Sequence, residues 1–181
     1  MCKVSVIVNN FNKGKYIKEC LEAIKNQTIG FQNIQLVIWD DNSIDNSLDV
    51  IEQWKTDNDR FDNIIVERTG RVIGSYYPGV LPLGVTRWLA LKRCIGNYVA
   101  LCDSDDVWFP EKLQKQLSCF GPGTGIVYSD CLFFVDSIED HDHYTFHDHY
   151  PIYSQDVFFK MLTKHNFMPA STLVFDRIFL K

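Results

Sequence analysis

This 181-residue sequence lacks both long apolar stretches and an excess of positive charge. No apolar run approaches the roughly 20 residues that a membrane-spanning helix needs, and no basic and apolar leader precedes the first apolar segment, beside Lys3. We therefore expect neither a spanning helix nor a secretory signal. Lys and Arg number 18 against 23 Asp and Glu, a net charge of −5. This balance argues against the basic face of a nucleic-acid-binding protein, so we expect no nucleic acid partner.

Cysteine pairs and glycine-rich phosphate loops are missing as well. None of the six cysteines belongs to a C-x-x-C pair, and Cys20, Cys94, Cys102 and Cys131 lie in apolar periodic segments. This usage predicts reduced core residues in a cytosolic protein. Neither G-x-x-x-x-G-K-[ST] nor a G-x-G-x-x-G after the first strand is present. A bound diphosphate would therefore need a divalent cation to offset most of its charge.

Strand-like and helix-like periodicity alternate along most of the chain. We predict strands at 4–8, 34–39, 63–66, 98–102, 126–128, 131–135 and 172–175, and helices at 16–24 (with Asn12 as N-cap), 44–54, 85–95, 110–120 and 154–164. The alternation predicts an α/β fold with a mostly parallel central sheet, flanking helices and a Rossmann-like N-terminal half. The rhythm changes at residues 121–123, but the length suits a single domain spanning 1–181.

Carboxylates follow two of the predicted strands. Asp103, Asp105 and Asp106 come directly after the strand that begins at Tyr98, and Asp40 and Asp41 come after the second strand. Because the carboxyl ends of parallel strands meet at one edge of a sheet, both clusters should lie together. Crowded carboxylates repel one another, and a hard divalent cation relieves that repulsion. The alternative is that these residues only cap the helices that follow.

A metal beside a second carboxylate cluster suits a nucleoside diphosphate. The metal can neutralise the diphosphate, while a carboxylate of the other cluster accepts hydrogen bonds from ribose hydroxyls or a base imide. Arg87 opens the helix before the metal strand and could bind a phosphate oxygen through its guanidinium group. The pattern predicts a site for a nucleoside diphosphate with a metal ion.

Three motifs in order resemble glycosyltransferase family 2. They are the opening segment, 4–12 with 15–28, then VIWDDNS at 37–43, and GNYVALCDSDDVW at 96–108. The later segments 127–130 and 169–175 resemble less specific parts of the same family. The resemblance covers nearly the whole chain, and the intervals between motifs agree as well as their order.

The resemblance implies a GT-A fold, the fold of nucleotide-diphospho-sugar transferases. Residues 1–120 would form the nucleotide-binding half and 121–181 the start of the acceptor-side half. It implies a nucleotide-sugar donor, UDP-sugar being the expected one, a Mn²⁺ or Mg²⁺ ion, and transfer with inversion to an acceptor hydroxyl. By the same resemblance the site roles are Asp41 and Asn9 at the base, Asp103 at the ribose, Asp105 with Asp103 at the metal, and Arg87 at the donor.

The family's catalytic base comes from an acidic motif downstream of the strand that 171–175 resembles, and no Glu-Asp pair follows here. We expect the base beyond Lys181, and hence a truncated chain that binds donor but transfers sugar slowly; Asp130 and Asp156 are candidate substitutes. Asn9 and Asn10 stand where the family commonly has Pro-Thr, and Trp88 stands where an Asn usually follows the arginine.

The family also implies glycan or lipid-linked acceptors and surface polysaccharide synthesis in the cytoplasm, with peripheral association at the inner face of the plasma membrane. Two other interpretations stay open. Asp103 to Val107 also fits the D-x-D-x-[TV] motif of haloacid-dehalogenase-like phosphatases, with Asp103 as nucleophile and Asp105 as acid/base. The missing base equally suits a nucleotide-sugar-binding module. The four histidines of 141–149 could ligate a metal, but a solvated polar loop is the favoured interpretation.

Overall fold

The computed structural model describes residues 3–59, 61–70, 83–133, 144–145 and 168–180. Its strands are β1 (Val4–Asn10), β2 (Ile34–Asp40), β3 (Ile64–Arg68), β4 (Tyr98–Asp103), β5 (Ile126–Tyr128), β6 (Leu132–Phe133), β7 (Tyr144–Thr145) and β8 (Leu173–Asp176). Its helices are α1 (Ile17–Lys25), α2 (Ser47–Asp57), α3 (Leu83–Leu91) and α4 (Lys112–Ser118), and the short 3-10 turn Ala170–Thr172 precedes β8. None of the described helices is long and apolar enough to cross a membrane.

The main sheet has the strand order β3-β2-β1-β4-β8-β5, and β6 and β7 form a separate antiparallel pair. The pairs β1–β2, β1–β4 and β2–β3 are parallel, whereas β8 is antiparallel to both β4 and β5. The predicted α/β architecture with a mostly parallel sheet is therefore confirmed. The rhythm change after α4 corresponds to the entry of the antiparallel strand.

Helices cover both faces of the sheet because β1 and β2 are apolar on both faces. One face carries Val4, Val6 and Val8, which belong to a core cluster with apolar residues of α1, α2 and α4. The opposite face carries Ile7 and Val37 in a second cluster that includes residues of α3. Burial on both faces explains the nearly continuous apolar runs of these strands.

A buried polar bridge sets the start of β4 against β1 and β2. Ser5 Oγ donates to Gln35 Oε1 at 2.5 Å and accepts a hydrogen bond from the Gly96 N–H at 2.9 Å. Gln35 Oε1 also accepts from the Ile95 N–H at 2.9 Å. Each polar atom in the bridge has a partner, as buried groups require, so the bridge holds the register in which β4 begins.

Some predicted boundaries were wrong for local reasons. Asn12 does not cap α1, since it adopts a φ of 53° and its side-chain oxygen accepts from the Ile44 N–H at 2.8 Å. Ile44 is 91% exposed rather than on the buried face of a helix, and α2 begins three residues later at Ser47. The first helical turn after Pro110 begins at Lys112. The predicted helix at 154–164 and the histidine tract 141–149 lie outside the described residues.

Gly96 provides a test of the close approach between β4 and β1. A Cβ atom at this position would lie 2.5 Å from the Ser5 nitrogen and 2.7 Å from the Val4 carbonyl carbon, both backbone atoms of a buried strand. We expect Gly96→Ala to lower the free energy of unfolding by about 1–3 kcal/mol, the usual cost of overpacking. Urea denaturation measures this change.

Gly84→Ala is the matched control, because a Cβ atom there meets no other atom within 4 Å. Gly84 lies in α3, where alanine favours the helix by about 1 kcal/mol, so this variant should be as stable as the original chain or more stable. A Gly96→Ala variant of unchanged stability would contradict the close contact.

Candidate active site

The parallel register brings the polar ends of three strands to one edge of the sheet. In β1, Asn9 pairs with Asp103 at the end of β4, and Asn10 pairs with Asp40 at the end of β2. The Asp41 N–H continues the ladder by donating to the Asn10 carbonyl at 2.9 Å. The carboxyl ends of parallel strands form the crevice in which open α/β sheets bind ligands.

A cavity of about 420 Å³ opens at this edge. Its described lining residues are Asn9, Asn10, Phe11, Lys13, Asp41, Leu83, Thr86, Asp103, Ser104 and Asp105. Four of the five site residues that the sequence predicted thus surround one space, and the fifth, Arg87, contacts Asp103. The structure brings them together; the role of each stays a prediction.

Asp40 and Asp41 are neighbours but do different things. Asp40 is fully buried and accepts hydrogen bonds from Asn10 Nδ2 at 2.8 Å and from the Ser43 N–H at 3.0 Å. It therefore stabilises the turn after β2, whereas Asp41 lines the cavity. Of these two acids only Asp41 is among the residues that line the cavity, because successive residues of an extended backbone point to opposite sides.

Each carboxylate of the Asp-x-Asp motif has a basic partner. Arg87 Nη2 lies 2.6 Å from Asp103 Oδ1, and Lys13 Nζ lies 2.6 Å from Asp105 Oδ2. The hydrogen bond to Asp105 raises the pKa of Lys13 above its ordinary value. These pairs offset the repulsion between the two acids, and they place two cations at the cavity, where an anionic ligand would find them.

Asn9 is oriented by a residue that sequence reasoning missed. Its Nδ2 donates to Thr86 Oγ1 at 3.0 Å, and Thr86 is buried in α3 one position before Arg87. Lys13 was missed for a similar reason: it lies in the loop after β1, where no motif marks it. Proximity in the sequence to predicted site residues could have identified both: Lys13 follows the end of β1 closely, and Thr86 directly precedes Arg87.

Asp106, the third acid of the motif, lines a different cavity from Asp103 and Asp105. This second cavity is larger, about 690 Å³, and Trp108, Phe109 and Lys112 also line it. Asp106 is exposed at the rim of this cavity, yet nearby protein atoms desolvate its carboxyl group and raise its pKa; the hydrogen bond from Ser171 acts in the opposite direction. Neither Asp105 nor Asp106 caps α4, whose N-cap position is Glu111, so the capping alternative does not hold for them.

The donor set at the smaller cavity fits a hard divalent cation. Within the described ranges no group of three or more His, Cys, Asp or Glu side chains surrounds a single point, while Asp103 and Asp105 offer carboxylate oxygens to one cavity. Mg²⁺ in nucleotide sites is typically held by one or two carboxylates, with substrate phosphates and water completing its shell. Two acids are therefore enough if a diphosphate supplies the remaining ligands.

The sequence profile described as Glycosyl transferase family 2 matches residues 5–180 of the chain. The chain belongs to glycosyltransferase family 2. This membership decides against the haloacid-dehalogenase-like phosphatase interpretation. The aspartate motif of those phosphatases usually opens the domain, whereas here it comes at the end of β4, after three earlier strands.

Relatives and solved structures agree with the family assignment. Poly(ribitol-phosphate) beta-glucosyltransferase of Bacillus spizizenii is 34% identical over 114 residues, which cover 62% of this chain and 16% of that protein. Staphylococcus aureus TarS 1–349, solved with UDP-GlcNAc, is 31% identical with a TM-score of 0.52, over 64% of this chain and 30% of that one.

The mannosyltransferase PcManGT of Pyrobaculum calidifontis, solved with GDP-Man and Mn²⁺, has a TM-score of 0.60 at 22% identity, over 70% of this chain and 34% of that chain. This likeness concerns the fold, and with the other neighbours it confirms the predicted GT-A fold. The family 2 chain described here spans between 16% and 34% of the length of these three proteins.

Lys112 is the charged group most affected by burial at the larger cavity. Its Nζ lies 4.0 Å from the centre of the Trp108 ring and donates to Gln116 Oε1 at 2.6 Å. Burial of the ammonium group lowers the pKa of Lys112 from 10.5 to about 8. In the folded protein this lysine therefore releases its proton well below the pH at which the unfolded chain does.

This pKa predicts a pH-dependent stability that Lys112→Met should remove. Between the folded pKa of about 8 and the unfolded value of 10.5, the unfolded state binds more protons, so the free energy of unfolding rises with pH in this window. We expect the stability of the original chain, relative to Lys112→Met, to increase from pH 7 to pH 10 in urea denaturation. A difference that stays constant across this range would contradict the burial of the charge.

Proposed function

We propose that this family 2 domain binds a UDP-sugar with Mn²⁺ or Mg²⁺ in the 420 Å³ cavity and transfers the sugar, with inversion, to a hydroxyl group of a glycan acceptor. The observation that supports the proposal most strongly is the meeting of Asp41, Asp103 and Asp105 around one cavity at the carboxyl edge of the sheet. Three acids from two strands would be a liability there without a cationic or hydrogen-bonding ligand.

The cavity residues divide into two groups that suit the two ends of a nucleoside diphosphate. Asp41 and Asn9 would recognise the base, and Asp103 the ribose hydroxyls. Asp105, with Asp103, would hold the metal. Arg87 and Lys13 already lie within 2.6 Å of those two carboxylates, so both cations are close enough to contact a diphosphate bound at the metal.

When bound, the divalent ion would supply Lewis-acid stabilisation of the charge that develops on the departing UDP. The protein contributes orientation: Thr86 holds Asn9, and Arg87 holds Asp103. Attack from the face opposite the leaving group gives inversion. The catalytic base stays the prediction made from the sequence, a carboxylate downstream of Lys181.

UDP is the proposed nucleotide because TarS, one of the structural neighbours at 31% identity, was solved with UDP-GlcNAc. The acceptor side is proposed to be the 690 Å³ cavity. The segment 103–108, here called the carboxylate turn, lines both cavities, Asp103 to Asp105 at the donor cavity and Asp106 to Trp108 at this one. Its rings Trp108, Phe109 and Phe133 and the acid Asp130 supply apolar faces and hydrogen-bond acceptors that suit a sugar. The name of the glucosyltransferase relative gives a poly(ribitol-phosphate) as its acceptor, which supports a polymeric acceptor here; a surface polysaccharide or lipid-linked glycan at the cytoplasmic face of a membrane is the acceptor that we propose.

Ligand-induced stabilisation tests the donor site. We expect UDP with Mn²⁺ to raise the melting temperature of the 181-residue chain more than either does alone, because ligands that bind only the folded state stabilise it in proportion to RT ln(1 + [L]/Kd). Asp105→Asn should abolish the Mn²⁺-dependent part of the shift. Asp41→Asn should weaken the UDP effect with or without the metal. Differential scanning fluorimetry provides the measurement.

The control is Asp49→Asn, which makes the same charge change at an exposed position in the first turn of α2, outside the residues that line the cavity. It should retain the full shift. The absence of any UDP shift in the original chain would contradict the proposed donor site. A clear shift with neither hydrolysis nor transfer of a UDP-sugar would instead favour a nucleotide-sugar-binding module.

A further inference from the structure

The side-chain hydroxyl and the carbonyl group of Ser171 both form hydrogen bonds with residues of the carboxylate turn, 103–108. Its Oγ accepts a hydrogen bond from the Asp103 N–H at 2.8 Å and donates one to Asp106 Oδ2. Its carbonyl oxygen accepts from Trp108 Nε1 at 3.0 Å. A single buried residue thus contacts the beginning, the third acid and the end of the segment 103–108.

The hydroxyl separates the three acids of the turn into two groups. The Asp106 N–H donates to the Asp103 carbonyl at 3.0 Å, so the turn is tight, and the charges of Asp103 and Asp105 act on the Asp106 carboxyl group and raise its pKa. The bond from Ser171 holds the Asp106 carboxylate on the side of the larger cavity, whereas Asp103 and Asp105 line the donor cavity. A hydroxyl that donates to a carboxylate makes one of the stronger hydrogen bonds in proteins.

The segment that carries Ser171 is itself held in place. β8 begins two residues later and pairs antiparallel with β4, Ala100 facing Val174. Gln116 of α4 donates through Nε2 to the Thr172 carbonyl at 2.7 Å. The 3-10 turn Ala170–Thr172 is therefore fixed between the strand before the acids and the helix after them, which makes Ser171 a rigid support.

We propose that Ser171 is a positioning residue for the metal site: its hydroxyl keeps Asp106 out of the donor cavity and fixes the backbone of Asp103, so that Asp103 and Asp105 face the metal. This inference rests on the proposed function. It adds a residue from 65 positions beyond Asp106 to a site otherwise built from β1, β2, α3 and β4.

The test measures Mn²⁺ binding rather than turnover. Mn²⁺ is titrated with the 181-residue chain at saturating UDP, and the amplitude of the electron paramagnetic resonance signal of free Mn²⁺ reports how much metal remains unbound. We expect Ser171→Ala to weaken Mn²⁺ affinity roughly 10-fold, the lower end of what is typical when an outer-shell hydrogen bond to a metal ligand is lost. Ser171→Thr, which keeps the hydroxyl, should restore affinity to near that of the original chain.

Thr172→Val controls for a merely structural effect. Thr172 is buried in the same 3-10 turn, but its hydroxyl donates to the Pro169 carbonyl at 2.7 Å, away from the acids. This variant should lose stability and keep Mn²⁺ affinity. Unchanged affinity in Ser171→Ala, or an equal loss in Thr172→Val, would overturn the role of Ser171 while leaving the donor site intact. An original chain that binds no Mn²⁺ with UDP would overturn the proposed function, and the role of Ser171 with it.

Discussion

The parallel pairing of β1 with β2 on one side and β4 on the other is the constraint on which the site depends. It places Asn9 beside Asp103 and Asn10 beside Asp40 at one edge of the sheet. Residues more than 60 positions apart in the chain, such as Asp41 and Asp105, thereby line one cavity. A shift of one residue in either pairing would turn each strand's side chains to the opposite face, so the chemistry of the edge is inseparable from the register.

Charge is the second organising factor. The edge collects several acids, and the protein offsets them in three ways: Asp40 is satisfied by the turn after β2, Asp103 and Asp105 are paired with Arg87 and Lys13, and Asp106 lines the larger cavity instead. What remains at the donor cavity is three carboxylates, Asp41, Asp103 and Asp105, with two cations, Lys13 and Arg87. Such an arrangement suits a ligand that is itself a metal and diphosphate pair, since each component finds an oppositely charged partner.

The sequence was most informative where the signal is local. The apolar runs of β1, β2 and β4 and the spacing of their terminal acids predicted an α/β fold and the shared edge. Arg87 was also found, because its place in the predicted helix before the metal strand put a guanidinium group near the acids, and the resemblance to family 2 marks the same position. Local patterns failed at Asn12, which resembled a helix cap but serves a turn that contacts Ile44, and at Asp40, which is indistinguishable from Asp41 until the strand's alternation is known.

What the sequence could not predict arises from contacts between distant segments. Ser171 lies in a stretch with no charged residue, and its importance follows only from the antiparallel insertion of β8 beside β4. Lys13 and Thr86 likewise acquire their positions from strand order and helix packing. Pairings of this kind depend on the complete topology, which single-sequence periodicity does not encode.

A crystal structure of the chain with UDP and Mn²⁺, with the metal located by anomalous diffraction, would test the donor site most directly. We expect the manganese peak at coordination distance from the Asp105 carboxylate and the diphosphate, with the uracil ring beside Asp41 and Asn9. A manganese ion bound elsewhere, or a nucleotide seated away from the carboxyl edge of β1, β2 and β4, would contradict the proposed donor site.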